Sequence, residues 1–236
     1  MKRIGILGGC FNPVHAGHIR LALEALEGIG LERVDLVPCF SPPHKDEDGL
    51  LGFGLRSELV RQAIDAISGL RVDTIEEHLE TPSYTWRTLA AYHEREPEAD
   101  LFFILGAGDL LALPRWKQGP DLVKKANFVV APRAGLGRQE VEECIAGHWP
   151  EAERLAHPLP GSTAAWRFAP ASGNNEPTFI LLLPIPALDI SSSHLRELWR
   201  QGRSLHCLTP WAVSTMLLAR EQDVAATWGP RRAHRP

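Results

Sequence analysis

Short apolar runs that alternate with helix-like stretches set the strongest constraint on how this chain folds. Leu101–Leu105 reads LFFIL and ends at Gly106. A run with no polar face is the pattern of a parallel strand buried on both sides. Lys2–Leu7, Val34–Val37, Leu70–Ile75, Asn127–Ala131 and Thr178–Leu183 are further strand candidates. Helices are predicted over His18–Gly28 and over Leu55–Ile67, where Leu59, Ala63 and Ile67 fall at i, i+4 and i+8. Ser83 is expected to cap another that runs to about His93, and shorter helical pieces are expected around Leu110 and Leu122. The repeated order predicts an α/β fold with a doubly wound, mostly parallel sheet. In such sheets ligands bind outside the carboxyl ends of the strands.

The pattern fails over 135–177. Helix is expected there only over Glu140–Ile145, within an irregular insertion in a single domain spanning 1–223. Beyond it, Ser191 or Ser192 is a good N-cap for a helix carrying Leu195, Leu198 and Trp199. A last helix is expected over Pro210–Arg220, capped by Thr209, and residues 224–236 are expected to form a disordered tail.

With a formal net charge of −4, the 236-residue chain has no global basic signature for nucleic acid, so any anion site must be built locally. Its four cysteines lie far apart with no C-x-x-C pair, which argues against structural zinc or a disulfide framework and fits a reducing compartment. No apolar run approaches the roughly 18 residues of a membrane span, and MKRIGILGG reads as a first strand rather than a leader. The expectation is a cytoplasmic protein without membrane or nucleic-acid partners.

The first candidate strand runs into Gly8–His18, GGCFNPVHAGH, and then into a helix. Glycines let backbone approach an anion closely, and the helix start adds unpaired N–H groups and a positive dipole end. His15 and His18 stand at that start. Their spacing also permits a zinc reading, but no third or fourth ligand follows at metal spacing. A second candidate anion nest is Ser191–Ser193, with Arg196 just beyond it, because a guanidinium binds phosphate in fork geometry. Lys45 follows two prolines and a histidine in PPHK, inside a loop rich in proline, glycine and charge.

GGCFNPVHAGH, PPHK at 42–45, PSYTW at 82–86, GAGDLLALPRW at 106–116 and DISSSHLR at 189–196 occur in this order. The set resembles the HxGH nucleotidyltransferase superfamily and, within it, the bacterial nicotinate mononucleotide adenylyltransferases. The resemblance covers most of the chain apart from 135–177 and the tail. It implies a Rossmann-like nucleotidyltransferase fold and transfer of AMP from ATP to nicotinate mononucleotide, giving deamido-NAD and pyrophosphate. It implies that His15, His18, Lys45 and Arg196 serve catalysis. ATP would be held by Gly8, Gly9, Cys10, Phe11, His15, His18, Gly106, Asp109, Ile190, Ser191, Ser192 and Arg196. The mononucleotide would meet Lys45, Thr85, Leu113, Trp116 and Arg133, with Trp116 stacked on the pyridine ring. Mg²⁺ would come bound to ATP rather than in a protein cage.

The chain departs from the family pattern at three places. Cys10 replaces the common hydroxyl residue, Asn12 stands where Asp is frequent, and Gly108 occupies the usual Asp position with Asp109 one residue later. Other acceptors stay open within the same chemistry: nicotinamide mononucleotide, phosphopantetheine or a cytidylyl-transfer substrate. From another class, a module that only binds a dinucleotide is disfavoured, because the corner is not G-x-G-x-x-G and no ribose-binding acid follows at the expected distance.

Overall fold

A computed structural model describes residues 2–43, 49–132, 135–170, 176–186 and 188–232. In chain order, the first half comprises β1 (Lys2–Gly9), α1 (Ala16–Ile29), β2 (Arg33–Pro38), α2 (Phe53–Ile64), β3 (Leu70–Val72), α3 (Thr85–Arg95) and β4 (Ala99–Gly106). The second half comprises α4 (Ala107–Ala112), α5 (Gly119–Leu122), β5 (Asn127–Ala131), α6 (Arg138–His148), β6 (Glu153–Arg154), β7 (Ala164–Phe168), β8 (Thr178–Leu182), α7 (Ser192–Arg200), α8 (Trp211–Ala219) and α9 (Glu221–Trp228). The strands form one sheet in the order β3-β2-β1-β4-β5-β8-β7-β6. The pairs from β3 through to β8 are parallel, and β7 turns back antiparallel on β8. The doubly wound, mostly parallel sheet expected from the apolar runs is the observed fold.

Alternation along each strand explains the two layers. On β4, Phe102 and Ile104 face the side that Ile19, Leu59, Leu195 and Val213 cover, while Leu101, Phe103 and Leu105 face Leu89, Leu110 and Ile145. Both faces are therefore buried, which is why LFFIL carries no polar residue. Each such side chain contributes about 1.5–3 kcal/mol on burial. Gly5 of β1 shows how close the packing is. A Cβ there would stand 2.8 Å from both Leu31 and Val34.

Three regions differ from the sequence expectation. The stretch 135–177 is not simply irregular: it holds α6 and a hairpin-like return in which Ala164, Trp166 and Phe168 face one core and Ala165 the other. A five-residue strand between Gly/Pro-rich flanks shows too little periodicity to be read, and β6 is two exposed residues long. The expected tail is partly helix, since α9 runs to Trp228 and buries Val224 and Trp228. One apolar pair at i, i+4 is too short a signal to outweigh the basic, proline-containing residues after it. Finally, Leu70–Ile75 is strand only to Val72 and then turns into a 3-10 segment, Ile75–His78. There Glu76 is buried, and its carboxylate accepts from the Phe40 N–H and the Thr88 hydroxyl.

Candidate active site

β1 and β4 are neighbours whose following helices cover opposite faces, so the sheet changes winding direction between Gly9 and Gly106. The glycine corner leaves β1 at that point. Phe11 takes a left-handed φ of 46°, and its buried ring lies edge-on to His18, with centroids 5.0 Å apart. His15 caps α1 from an extended backbone, and its main-chain N–H donates to Nδ1 of His18 at 3.2 Å. The two imidazoles stack at 3.6 Å. Gly17 allows this, because a Cβ there would press on the His15 ring at 3.1 Å.

α7 brings the second half. Ser191 is its N-cap, accepting from the His194 N–H at 3.2 Å, as one of the two expected candidates. The Ser192 hydroxyl donates to the Pro13 carbonyl at 2.9 Å, and Arg196 donates to the Asn12 carbonyl at 3.0 Å and to the Ser193 hydroxyl. The two anion-binding candidates are thus bonded to each other at two points, between residues 179 and 184 positions apart in the chain. Ile190 is half-buried against the same core. Burial first, and the neighbouring Arg200 second, lower the Arg196 pKa from its ordinary value. A guanidinium still stays charged. Among the described residues no carboxylate pairs with Arg196, whose charge is felt by Arg200 and the Cys10 thiol.

Beneath the corner sit residues the sequence reading assigned no role. Asn12 is buried; its Oδ1 accepts from the Leu51 N–H at 3.2 Å and the Trp228 indole at 3.3 Å, while its Nδ2 donates to the Gly49 carbonyl at 2.6 Å. Arg56, also buried, donates to the carbonyls of Cys10 and Leu51. Arg56 falls three and four residues before Leu59 and Val60, on the buried side of α2, which was the available clue to it; nothing local marked Trp228. Cys10 and Cys39 leave adjacent strands, with the Cys39 N–H donating to the Gly9 carbonyl at 2.8 Å. A hydrogen bond with the Cys10 thiol, then burial, then the Glu76 carboxylate raise the Cys39 thiol well above the ordinary range.

On the acceptor side, Ser83 does not cap α3. Its hydroxyl accepts from the Ser41 N–H and its own N–H donates to the Ser41 carbonyl, which ties PSYTW to the start of the PPHK loop. Tyr84 is the N-cap instead, and half-buried Thr85 opens the helix. Trp116 is also half-buried and packs on the core beneath α4. Leu113 is fully buried, its N–H donating to the Leu110 carbonyl and its carbonyl accepting from the Trp116 N–H, so it does not present the contact expected of it. Asp109 lies exposed in the first turn of α4, and its carboxylate reaches to 3.7 Å from where a Cβ on Gly106 would stand. Gly8 is exposed and Gly9 half-buried at the rim. Lys45 and Arg133 lie outside the described residues.

The profile of the cytidylyltransferase-like family matches residues 6–198. A probable nicotinate-nucleotide adenylyltransferase of Geotalea daltonii is 37% identical over 211 residues, covering 89% of this chain and 93% of that protein. One from Desulfatibacillum aliphaticivorans is 36% identical over 215 residues, covering 89% and 94%. Among solved structures, Plasmodium falciparum nicotinic acid mononucleotide adenylyltransferase complexed with NaAD aligns over 94% of this chain and 98% of that one, with a TM-score of 0.70. At 18% identity that likeness bears on the fold. Profile, relatives and fold agree: the chain belongs to the cytidylyltransferase-like nucleotidyltransferases, within the nicotinate-nucleotide adenylyltransferase family.

Proposed function

We propose that this enzyme transfers the AMP moiety of ATP to the 5′-phosphate of nicotinate mononucleotide. A phosphate oxygen forms the new bond to the α-phosphorus, the bond to the bridging oxygen breaks, and pyrophosphate leaves with the electron pair. The product is deamido-NAD. The observation that carries this reading is Arg196, a cation without a carboxylate partner among the described residues, bonded to the Asn12 carbonyl of the corner that presents His15 and His18.

A phosphate monoester has a second pKa near about 6, so the acceptor is already mostly dianionic at pH 7 and needs no general base. Catalysis then rests on positioning and on relieving repulsion between two anions. Because Nδ1 of His18 accepts a main-chain N–H, the proton of the neutral ring sits on Nε2, a donor suited to a phosphate oxygen. We assign His15, His18 and Arg196 to the triphosphate, helped by Ser191, Ser192 and the backbone of Gly8–Phe11, with Asp109 toward the nucleoside and Lys45 on the transferred phosphates. Thr85, Trp116 and Arg133 we assign to the pyridine nucleotide.

The ATP substrate would be its Mg²⁺ complex. Among the described residues no three histidine, cysteine or acidic side chains converge on one point, which fits an ion carried by the triphosphate. Four cysteines outside any disulfide suit a reducing, cytoplasmic setting. No helix of the described residues is long and apolar enough to cross a membrane.

The test is pyrophosphate release by purified protein with ATP and Mg²⁺, offering nicotinate or nicotinamide mononucleotide in turn. Turnover with the acid form is expected to be the faster. No turnover with either would overturn the reading, and preference for the amide would overturn its acceptor half.

A further inference from the structure

The corner and α7 are joined twice directly, by Arg196 on Asn12 and Ser192 on Pro13, and a third time through the end of the chain. The Trp228 indole N–H donates to Asn12 Oδ1 at 3.3 Å, and the Trp228 carbonyl accepts from Arg200 Nε at 2.8 Å. Arg200 stands one helical turn beyond Arg196, so the contacts close a ring: Asn12, Arg196, Arg200, Trp228 and back to Asn12. The ring is held from outside as well. Trp228 lies edge-on to Trp199 with centroids 5.9 Å apart, and the Arg232 N–H donates to the Arg200 carbonyl at 3.1 Å.

The Asn12 amide gives this ring an orientation. Two donors, Leu51 N–H and the Trp228 indole, face its oxygen, and the Gly49 carbonyl faces its nitrogen. A flipped amide would set N–H against N–H and oxygen against oxygen, so Trp228 helps fix which way Asn12 points. The same residue's main-chain carbonyl holds Arg196.

We propose that Trp228 is a positioning residue for phosphate chemistry. Acting through Asn12 and Arg200, it sets where Arg196 stands relative to His15 and His18. This role rests on the adenylyl-transfer reading above. Trp228→Phe keeps an aromatic ring against Trp199 and removes the indole donor together with a little buried volume. Loss of one such hydrogen bond at a positioned site is expected to lower kcat about 3- to 10-fold, with KM for nicotinate mononucleotide nearly unchanged, whatever the smaller ring costs in Tm. A purely structural role predicts a lower Tm with kcat, measured well below that Tm, intact.

A double-mutant cycle isolates the route. In an Asn12→Ala background Trp228→Phe should add nothing, whereas in Asn12→Asp, which keeps an acceptor, the effect should persist. Affinity for a non-hydrolysable ATP analogue, measured by calorimetry, gives the same comparison without turnover. It therefore separates this proposal from the functional reading: a wild-type protein that binds the analogue but turns over neither mononucleotide defeats that reading alone. Wild-type turnover and binding in Trp228→Phe, or an equal effect of that change in all backgrounds, would overturn the proposal. Should Asn12→Ala not fold, the kcat-against-Tm split of Trp228→Phe decides.

Discussion

His15 donates its main-chain N–H to Nδ1 of His18 at 3.2 Å while the two rings stack at 3.6 Å. The backbone of one histidine thus fixes the tautomer of the other, and the corner arrives with its donor already oriented. Preorganisation of this kind favours charge that develops in the transition state over charge present in the ground state. His18→Ala should lower kcat about 10²–10³-fold and leave the far-ultraviolet circular dichroism spectrum unchanged. Near-wild-type turnover would remove His18 from the mechanism.

Arg196 uses separate nitrogens on the Asn12 carbonyl and the Ser193 hydroxyl. A lysine cannot hold both and present a planar fork, so Arg196→Lys should not rescue the function. We expect kcat/KM for ATP to drop at least about tenfold, the scale of one lost charge-assisted hydrogen bond, with KM for the mononucleotide little changed. Equal activity of the lysine variant would show that only the charge matters.

Trp116 is half-buried on the far side of the β1–β4 crevice from α7. If it supplies the stacking surface for the pyridine, Trp116→Ala should raise KM for nicotinate mononucleotide about 10-fold or more, as expected for loss of one stacking platform worth about 1–3 kcal/mol. Initial-rate kinetics with each substrate varied will check this. A defect confined to ATP would contradict the assignment.

Thiol chemistry offers a check that is independent of activity. The Cys10 thiol, burial and Glu76 all hold Cys39 in its protonated, unreactive form, whereas Cys207 is exposed. With iodoacetamide at pH 8, followed by mass spectrometry, Cys207 should be modified first and Cys39 last. Modification of Cys39 at the rate of Cys207 would show that the corner does not shield it.

Asp73 makes stability depend on pH. Burial pushes its pKa up, but hydrogen bonds from Arg95, Tyr92 and the Ile75 N–H outweigh that, so the folded value is depressed. Its contribution is therefore complete above the unfolded carboxylate value of about 3.9 and is lost as pH falls through the folded value. Asp73→Asn should cost about 1–2 kcal/mol at pH 7, on the low side for charged hydrogen bonds because Arg95 is partly exposed. Urea unfolding at pH 7, 5 and 3 should show the gap between variant and wild type closing at the acid end. A gap that stays constant would assign the loss to packing.

The sheet was legible wherever burial on both faces wrote itself as an unbroken apolar run, as in Leu101–Leu105 and Asn127–Ala131. Strand β7 was not, because Ala164 to Phe168 is short, contains an exposed Arg167 and lies between proline- and glycine-rich flanks. In the candidate site, the histidines and the serine-capped arginine helix carried local chemical signatures that survive in one dimension. Their mutual contact did not, and neither did its supports. Ser83 has the composition of a helix cap, yet its hydroxyl is engaged by Ser41, a partner 42 residues away. Arg56 and Trp228 act by reaching across the fold to carbonyl and amide groups, and nothing in the residues beside them records such a target.

The bond between Asn12 and Trp228 joins residues 216 positions apart. At synthesis rates of about 5–20 residues per second, the glycine corner leaves the ribosome many seconds before the indole that orients it. The corner is made before α9 and completed only after it. A nascent chain lacking α9 carries a corner whose Asn12 still waits for its second donor. Full activity should therefore appear late in biogenesis, once α9 has docked.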